Sequence, residues 1–297
     1  MIREAAEDRG GSSAAFPPQV VETGTPKRHG TRWGDVGLGV VAGIAALFLG
    51  LPVVVLIGRA LLDGSLGVAL ASPAVIDALW LSLVTTAVSV VLTVLFGLPL
   101  AYVLARRRFR GKAIVETIVD LPIVLPPSVA GLALLLLLGR RGVLGEPLDV
   151  LGISVSFTTV AVVLAMTFVS APFFIRSART GIAGVDRDLE DASRVDGASE
   201  PQLFRRITVP LAASSLAAGL VMAWARALGE FGATIMFAGS VQGRTQTLPL
   251  VVYAEFQAGS LDASIAAAAI LVLAAFGVLF AVRVLHWGRA LDVRGVG

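Results

Sequence analysis

Six stretches of the chain are apolar over lengths that suit a membrane-crossing helix. They cover residues 36–58, 78–105, a segment ending in 121–138, and residues 155–175, 211–238 and 263–282. A helix needs about 20 apolar residues to cross the ~30 Å hydrocarbon layer, and each stretch meets or approaches that length. The pattern predicts an all-α integral membrane protein with six transmembrane helices over residues 36–288. A tail over 1–35 precedes them and a short tail over 289–297 follows. The third stretch is the least regular, because Pro122, Pro126 and Pro127 remove backbone donors and kink or restart the helix. Carbonyls freed at such a break are tolerable only where protein or a wet cavity satisfies them.

Composition agrees with the pattern. The 297 residues are 56% hydrophobic and 15% charged, with a mean hydropathy of +0.85, which would leave a soluble domain short of polar surface. Residues 1–35 mix Gly, Ser, Pro and charge without an apolar run, so they read as a disordered tail. The first apolar stretch is longer than the roughly 7–15 residues of a cleavable signal core and is expected to remain as a helix.

The net charge of +3 does not point to nucleic acid, because the basic residues fall in short clusters between apolar runs. They report topology instead. Arg3, Arg9, Lys27, Arg28 and Arg32 lie in the tail, and Arg106, Arg107, Arg108, Arg110 and Lys112 in the second loop. Arg176, Arg179, Arg187, Arg194, Arg205 and Arg206 lie in the fourth loop, and Arg283, Arg289 and Arg294 at the C-terminus. The alternate loops hold only Arg59, Arg140, Arg141 and Arg244. Both termini are therefore expected in the cytoplasm. The absence of cysteine excludes thiolate chemistry, and the two histidines, His29 and His286, are too remote from each other for a catalytic or metal centre. No cofactor is predicted. No G-x-x-x-x-G-K-[ST] phosphate loop occurs, so the chain has no such cradle for ATP.

The loop over 176–210 reads as structured. Acidic residues from Asp186 to Asp191 followed by Arg194 suit the dipole of a short helix. Gly197 stops that helix. Ser199 supplies an N-cap and Pro201 a first-turn residue for a second helix running to about Ile207. The string Asp191-Ala192-Ser193-x3-Gly197-x9-Ile207-x-Val209-Pro210 resembles the EAA loop of ABC importer permeases, E-A-A-x3-G-x9-I-x-L-P, with every spacing matched. Asp191, Ser193 and Val209 are mild departures. The alternative is an ordinary amphipathic interfacial helix. In that family the loop is a coupling helix that docks in a groove of a separate ATPase subunit. The resemblance assigns Glu190, Asp191, Ala192, Ser193, Gly197, Ile207 and Pro210 to ATPase coupling.

Phe231-Gly232-Ala233-Thr234 within the run 225–239, and Thr247-Leu248-Pro249-Leu250 after it, are similar to the fifth helix and following external loop of molybdate-type permeases. The run 121–132 resembles the third helix of that group and of related sulfate permeases. Arg226 and Glu230 lie four apart within an apolar run, where facing lipid would be costly. They either line the path or pair to lock helix packing. Ser215, Gly219, Ala223 and Ala227 recur every four residues as a small-residue stripe for close packing, within the subunit or against a second copy. The break at Pro126, Pro127 and Ser128 is a simple kink or an anion site, since exposed helix N-termini attract anions. Thr234, Thr245 and Thr247 either hydrogen-bond an oxyanion or simply satisfy local backbone.

The resemblance implies a non-catalytic permease subunit of a bacterial ABC importer in the inner membrane. It would carry molybdate or tungstate by alternating access, as a homodimer with a pair of ATPase subunits, fed by an extracytoplasmic solute-binding protein. A sulfate or other oxyanion permease is the nearest rival. An ion-coupled secondary transporter would call for inverted repeats and paired intramembrane carboxylates, whereas only Glu230 lies deep in an apolar run. A membrane-embedded enzyme lacks any nucleophile or metal constellation.

Overall fold

The described residues are helical almost throughout because backbone groups in hydrocarbon have no water to bond and must satisfy one another. The computed structural model describes residues 32–292, with side-chain surroundings from 37 to 280. The expected tail at 1–35 lies outside the described residues, apart from 32–35, which are helical. In order, the helices are α1 (Arg32–Leu62), α2 (Ser65–Ala71), α3 (Pro73–Arg106), α4 (Lys112–Val124), α5 (Pro127–Leu138), α6 (Gly145–Val150), α7 (Thr159–Ala183), α8 (Arg187–Val195) and α9 (Glu200–Leu203). A π turn at Phe204–Thr208 carries α9 into α10 (Val209–Leu211), and α11 (Ala213–Leu228), α12 (Gly232–Phe237), α13 (Leu248–Gln257) and α14 (Leu261–Asp292) follow. No strand occurs among the described residues. Residues up to Leu51 form one unit and those from Pro52 a second. The described part of the first unit belongs to α1, with Leu38, Val41, Ile44 and Phe48 exposed, as suits a helix solvated by lipid.

Among the described residues, four helices are long and apolar enough to cross a membrane alone: α1, α3, α7 and α14. Two bent pairs, α4 with α5 and α9–α10 with α11, bring the number to six if each pair is one span. In the second unit α3 lies along α7 through a seam of small and hydroxyl residues. Ser82, Thr86, Ser89, Thr93, Gly97 and Ala101 are all buried, and Thr167 Oγ1 hydrogen-bonds Ser89 Oγ at 3.1 Å. A Cβ on Gly97 would come 3.0 Å from Ile175, so the helices approach closely, as small residues allow in membranes. The stripe on α11 packs inside the subunit. Gly219 meets Ser177 of α7, where a Cβ would lie 2.8 Å from the serine Cβ, and Ser177 Oγ donates to the Ser215 carbonyl at 2.7 Å.

The third and fifth expected spans are not single rods. After Val124 the chain breaks at Leu125–Pro126 and restarts as α5, with axes bent by 118°. Pro122 sits inside α4 without ending it. With 13 and 12 residues, α4 and α5 reach only about 20 and 18 Å, so neither crosses alone. Two ion pairs tie α4 to α7: Arg179–Glu116 at 2.5 Å and Arg176–Asp120 at 3.6 Å. The expected helix over 211–238 bends by 75° at Ala212 and breaks again between α11 and α12. The two breaks meet. A Cβ on Gly232 would lie 2.8 Å from Pro127 Cβ, and one on Gly131 would lie 2.6 Å from the Ala233 carbonyl oxygen. Glycine is therefore required where α5 crosses α12.

The segment expected as an external loop after the fifth span contains α13, whose Leu248, Pro249, Leu250 and Val251 are buried. Its ten residues are too few for a span, so hydropathy alone does not reveal it. α7 runs eight residues beyond the expected end at 175, and α14 includes residues 289–292 of the expected C-terminal tail.

Gly131→Ala should lower the melting temperature of the detergent-purified protein, by an amount corresponding to about 1–3 kcal/mol of overpacking. Gly67→Ala, where nothing lies within 4 Å of the added Cβ, should hold or raise it. Equal behaviour of the two variants would show that α5 and α12 do not meet in this way.

Candidate functional site

The loop between α7 and α11 folds by local rules. Asp186 Oδ1 accepts the Asp188 N–H at 3.0 Å and opens α8. Its end is a left-handed glycine cap: Gly197 has φ +87°, the Gly197 N–H donates to Arg194 O, and the Ala198 N–H donates to Ser193 O, both at 3.0 Å. The Ser199 N–H then donates to Gln202 Oε1 at 2.9 Å, with Pro201 in the first turn of α9. The second helix continues past the expected Ile207 through the π turn to Leu211. Arg194 bridges the two halves, 2.6 Å from Asp191 and 2.8 Å from Glu200. Its hydrogen bond holds the Glu200 carboxyl below the usual carboxylate range.

The predicted coupling residues divide by exposure. Asp191, Ala192, Gly197 and Pro210 face solvent, and Ser193 and Ile207 are half-buried. Ser193, Gly197, Ala198, Gln202, Leu203 and Ile207 lie along a cleft of about 310 Å³ on this knob. Glu190 turns the other way. Its side chain is 3% exposed and meets Arg106 Nη2 at 2.7 Å, while the Thr208 hydroxyl donates to the same carboxylate oxygen at 2.9 Å. Arg106 Nη2 also donates to the Val185 carbonyl at 3.1 Å. The sequence treats Arg106 only as one of a cluster of loop charges. Its place one helical turn after Tyr102, at the end of an apolar run, is the signal that it belongs to α3.

The second group of candidate residues surrounds the paired breaks. Glu230 is not in mid-helix: Gly229 closes α11, and Phe231 precedes α12 with non-helical φ −126° and ψ −54°. Its side chain is 1% exposed, and Oε1 accepts the Ala233 N–H at 2.7 Å, satisfying an orphan donor of α12. Oε2 lies 2.6 Å from Arg226 Nη1 in an ion pair. Arg226 is 28% exposed and retains part of its solvation. Pro126, Pro127 and Ser128 are exposed, and Pro127 and Ser128 abut Gly232, so the structure brings them beside the Glu230 segment.

Thr234 and Thr247 are buried and their hydroxyls have no partner. Thr234 lies on α12. Thr247 is the N-cap of α13, next to the Leu248 N–H that donates to Ser82 Oγ at 2.7 Å. No hydrogen bond joins either threonine to Glu230. Thr245 instead accepts the Val241 N–H at 2.9 Å, a structural turn contact.

Arg226→Met should destabilise the purified protein most, because it strands a fully buried carboxylate at a cost of about 3–5 kcal/mol. Glu230→Gln, which keeps an acceptor for Ala233 and leaves a part-solvated cation, should cost less. The double variant should behave like Glu230→Gln alone in thermal unfolding. A harmless Arg226→Met would show that the pair does not hold this break.

The family profile described as binding-protein-dependent transport system inner membrane component matches residues 93–289. The chain is 43% identical over 245 residues to the molybdenum transport system permease protein ModB of Mycobacterium tuberculosis, covering 82% of this chain and 90% of that one. It is 40% identical over 193 residues to the molybdate/tungstate transport system permease protein WtpB of Pyrococcus abyssi, covering 65% and 73%. Among solved structures, it resembles a chain of a bacterial alginate ABC transporter in complex with an alginate pentasaccharide-bound periplasmic protein. There the TM-score is 0.68 at 18% identity, over 84% of this chain and 92% of that one. The chain belongs to the inner membrane components of binding-protein-dependent transport systems.

Proposed function

We propose that this chain is the permease subunit of an ATP-driven importer for molybdate or tungstate. It works with a second copy of itself, a pair of ATPase subunits and an extracytoplasmic solute-binding protein. The observation that carries the proposal is the self-capped helix–glycine–helix knob, which presents Asp191, Ala192, Gly197 and Pro210 to solvent. An ATPase surface docked on those residues pushes the knob when ATP draws the ATPase pair together. The anion identity rests on the relatives named above, and the binding-protein partner on the alginate transporter's periplasmic protein. The excess of Arg and Lys in alternate loops supports a cytoplasmic position for the knob and both termini.

The path runs past the paired breaks, where Pro126, Pro127 and Ser128 expose the N-terminus of α5, whose partial positive charge favours an anion. Arg226 neutralises Glu230, so the carboxylate does not repel the substrate. Thr234 and Thr247 supply buried hydroxyls with unfilled bonding capacity.

Gly197→Val tests the proposal. No neighbour lies within 4 Å of the added Cβ, so the change acts through the left-handed backbone, at about 1–2 kcal/mol. The variant should reach the membrane in normal amount but retain less ATPase in a pull-down and take up less labelled molybdate. Unchanged uptake and co-purification would overturn the docking role. Reporters inserted after Gly64 or Gly243 should read the external side, and one after Lys112 the cytoplasm. A cytoplasmic reading at Gly243 would break the topology.

A further inference from the structure

The knob is joined covalently to the membrane helices at two places where the chain changes direction: the turn at Gly184 after α7, and the 75° bend at Ala212 before α11. A third connection is non-covalent and runs to α3. Arg106, the last residue of α3, and Glu190, in α8, form an ion pair of two nearly inaccessible side chains, 8% and 3% exposed. Thr208, from the π turn, donates to the same Glu190 oxygen that Arg106 holds. One turn earlier on α3, the Tyr102 ring meets Phe204, the first residue of that π turn, edge to face with centroids 5.0 Å apart. Both halves of the knob are thus pinned to one end of one helix.

We propose that Arg106, Glu190 and Thr208 are positioning residues that lock the knob to α3, so that the stroke delivered to the knob enters the membrane domain through α3 and its seam with α7. This rests on the proposed docking of an ATPase on the knob. Charge is a poor choice for mere adhesion, because a buried ion pair adds little stability over apolar packing of the same shape. It is a good choice for register, because the directional bonds of Arg106 to both Glu190 and Val185 are met in one alignment of α3 against the knob. The 34-residue α3 then carries that alignment the length of the bundle. The outward face with Asp191 and Gly197 receives the stroke, and the inward face with Glu190 passes it on.

The chain has no cysteine, which permits a direct test in the complete complex reconstituted with its ATPase in vesicles. Tyr102→Cys with Phe204→Cys, joined by a short cleavable bifunctional thiol reagent, should keep molybdate uptake, since parts that move together tolerate a tether. Loss of uptake on joining, restored on cleavage, would overturn the lock. In the second arm, Glu190→Gln and Arg106→Lys should retain the ATPase on co-purification but hydrolyse ATP with loss of uptake. The exchange Arg106→Glu with Glu190→Arg should recover part of that coupling. Wild-type ATP consumption per molybdate in Glu190→Gln would also overturn the lock. If a single variant does not fold, the tether arm decides alone. Failure of the unaltered chain to bind any ATPase would instead sink the docking proposal.

Discussion

A backbone group released inside hydrocarbon has no water to turn to, and the structure is organised around that constraint. Most of the described chain obeys it by remaining helical. Where helices stop among apolar residues, at Leu125–Pro126 and at Gly229–Phe231, the ends are brought against each other. The Glu230 carboxylate then supplies an acceptor to the Ala233 N–H exposed by the second stop. Proline reduces the demand at the first stop, because it has no N–H to satisfy. Glycine at 131 and 232 lets the two restarted helices approach closely.

The same logic sorts the charged residues. Arg194 on the knob, and Arg176 and Arg179 of α7 with Asp120 and Glu116 of α4, make exposed or half-buried pairs that solvent screens. Two carboxylates buried among the described residues, Glu190 and Glu230, each have an arginine and a hydrogen-bond donor. One sits where the knob meets α3, and the other where α11 gives way to α12. Both mark places where separate helical pieces must hold a fixed register, which apolar packing alone specifies less sharply.

Much of this was legible in the sequence. The spans α1, α3, α7 and α14 follow from apolar length, and the knob follows from local signals: Asp186 and Ser199 as caps, Gly197 as a stop. The break after Gly229 was hidden because its flanking residues stay apolar, and hydropathy reports solvent preference rather than backbone direction. α13 was missed because a buried ten-residue helix is too short to register as a span. The pairing of Arg106 with Glu190 was invisible because the partners lie 84 positions apart, and no pattern in a single sequence links residues at that distance.

That separation has a consequence for how the molecule is made. Chains emerge from the ribosome N-terminal end first, so Arg106 reaches the membrane long before Glu190 exists. Until α8 has been synthesised, the guanidinium has no carboxylate and stays hydrated at the bilayer surface, with its stem lying along the apolar helix below. Docking of the knob on α3 is therefore a late event in assembly, one that waits for every residue between 106 and 190 to be made.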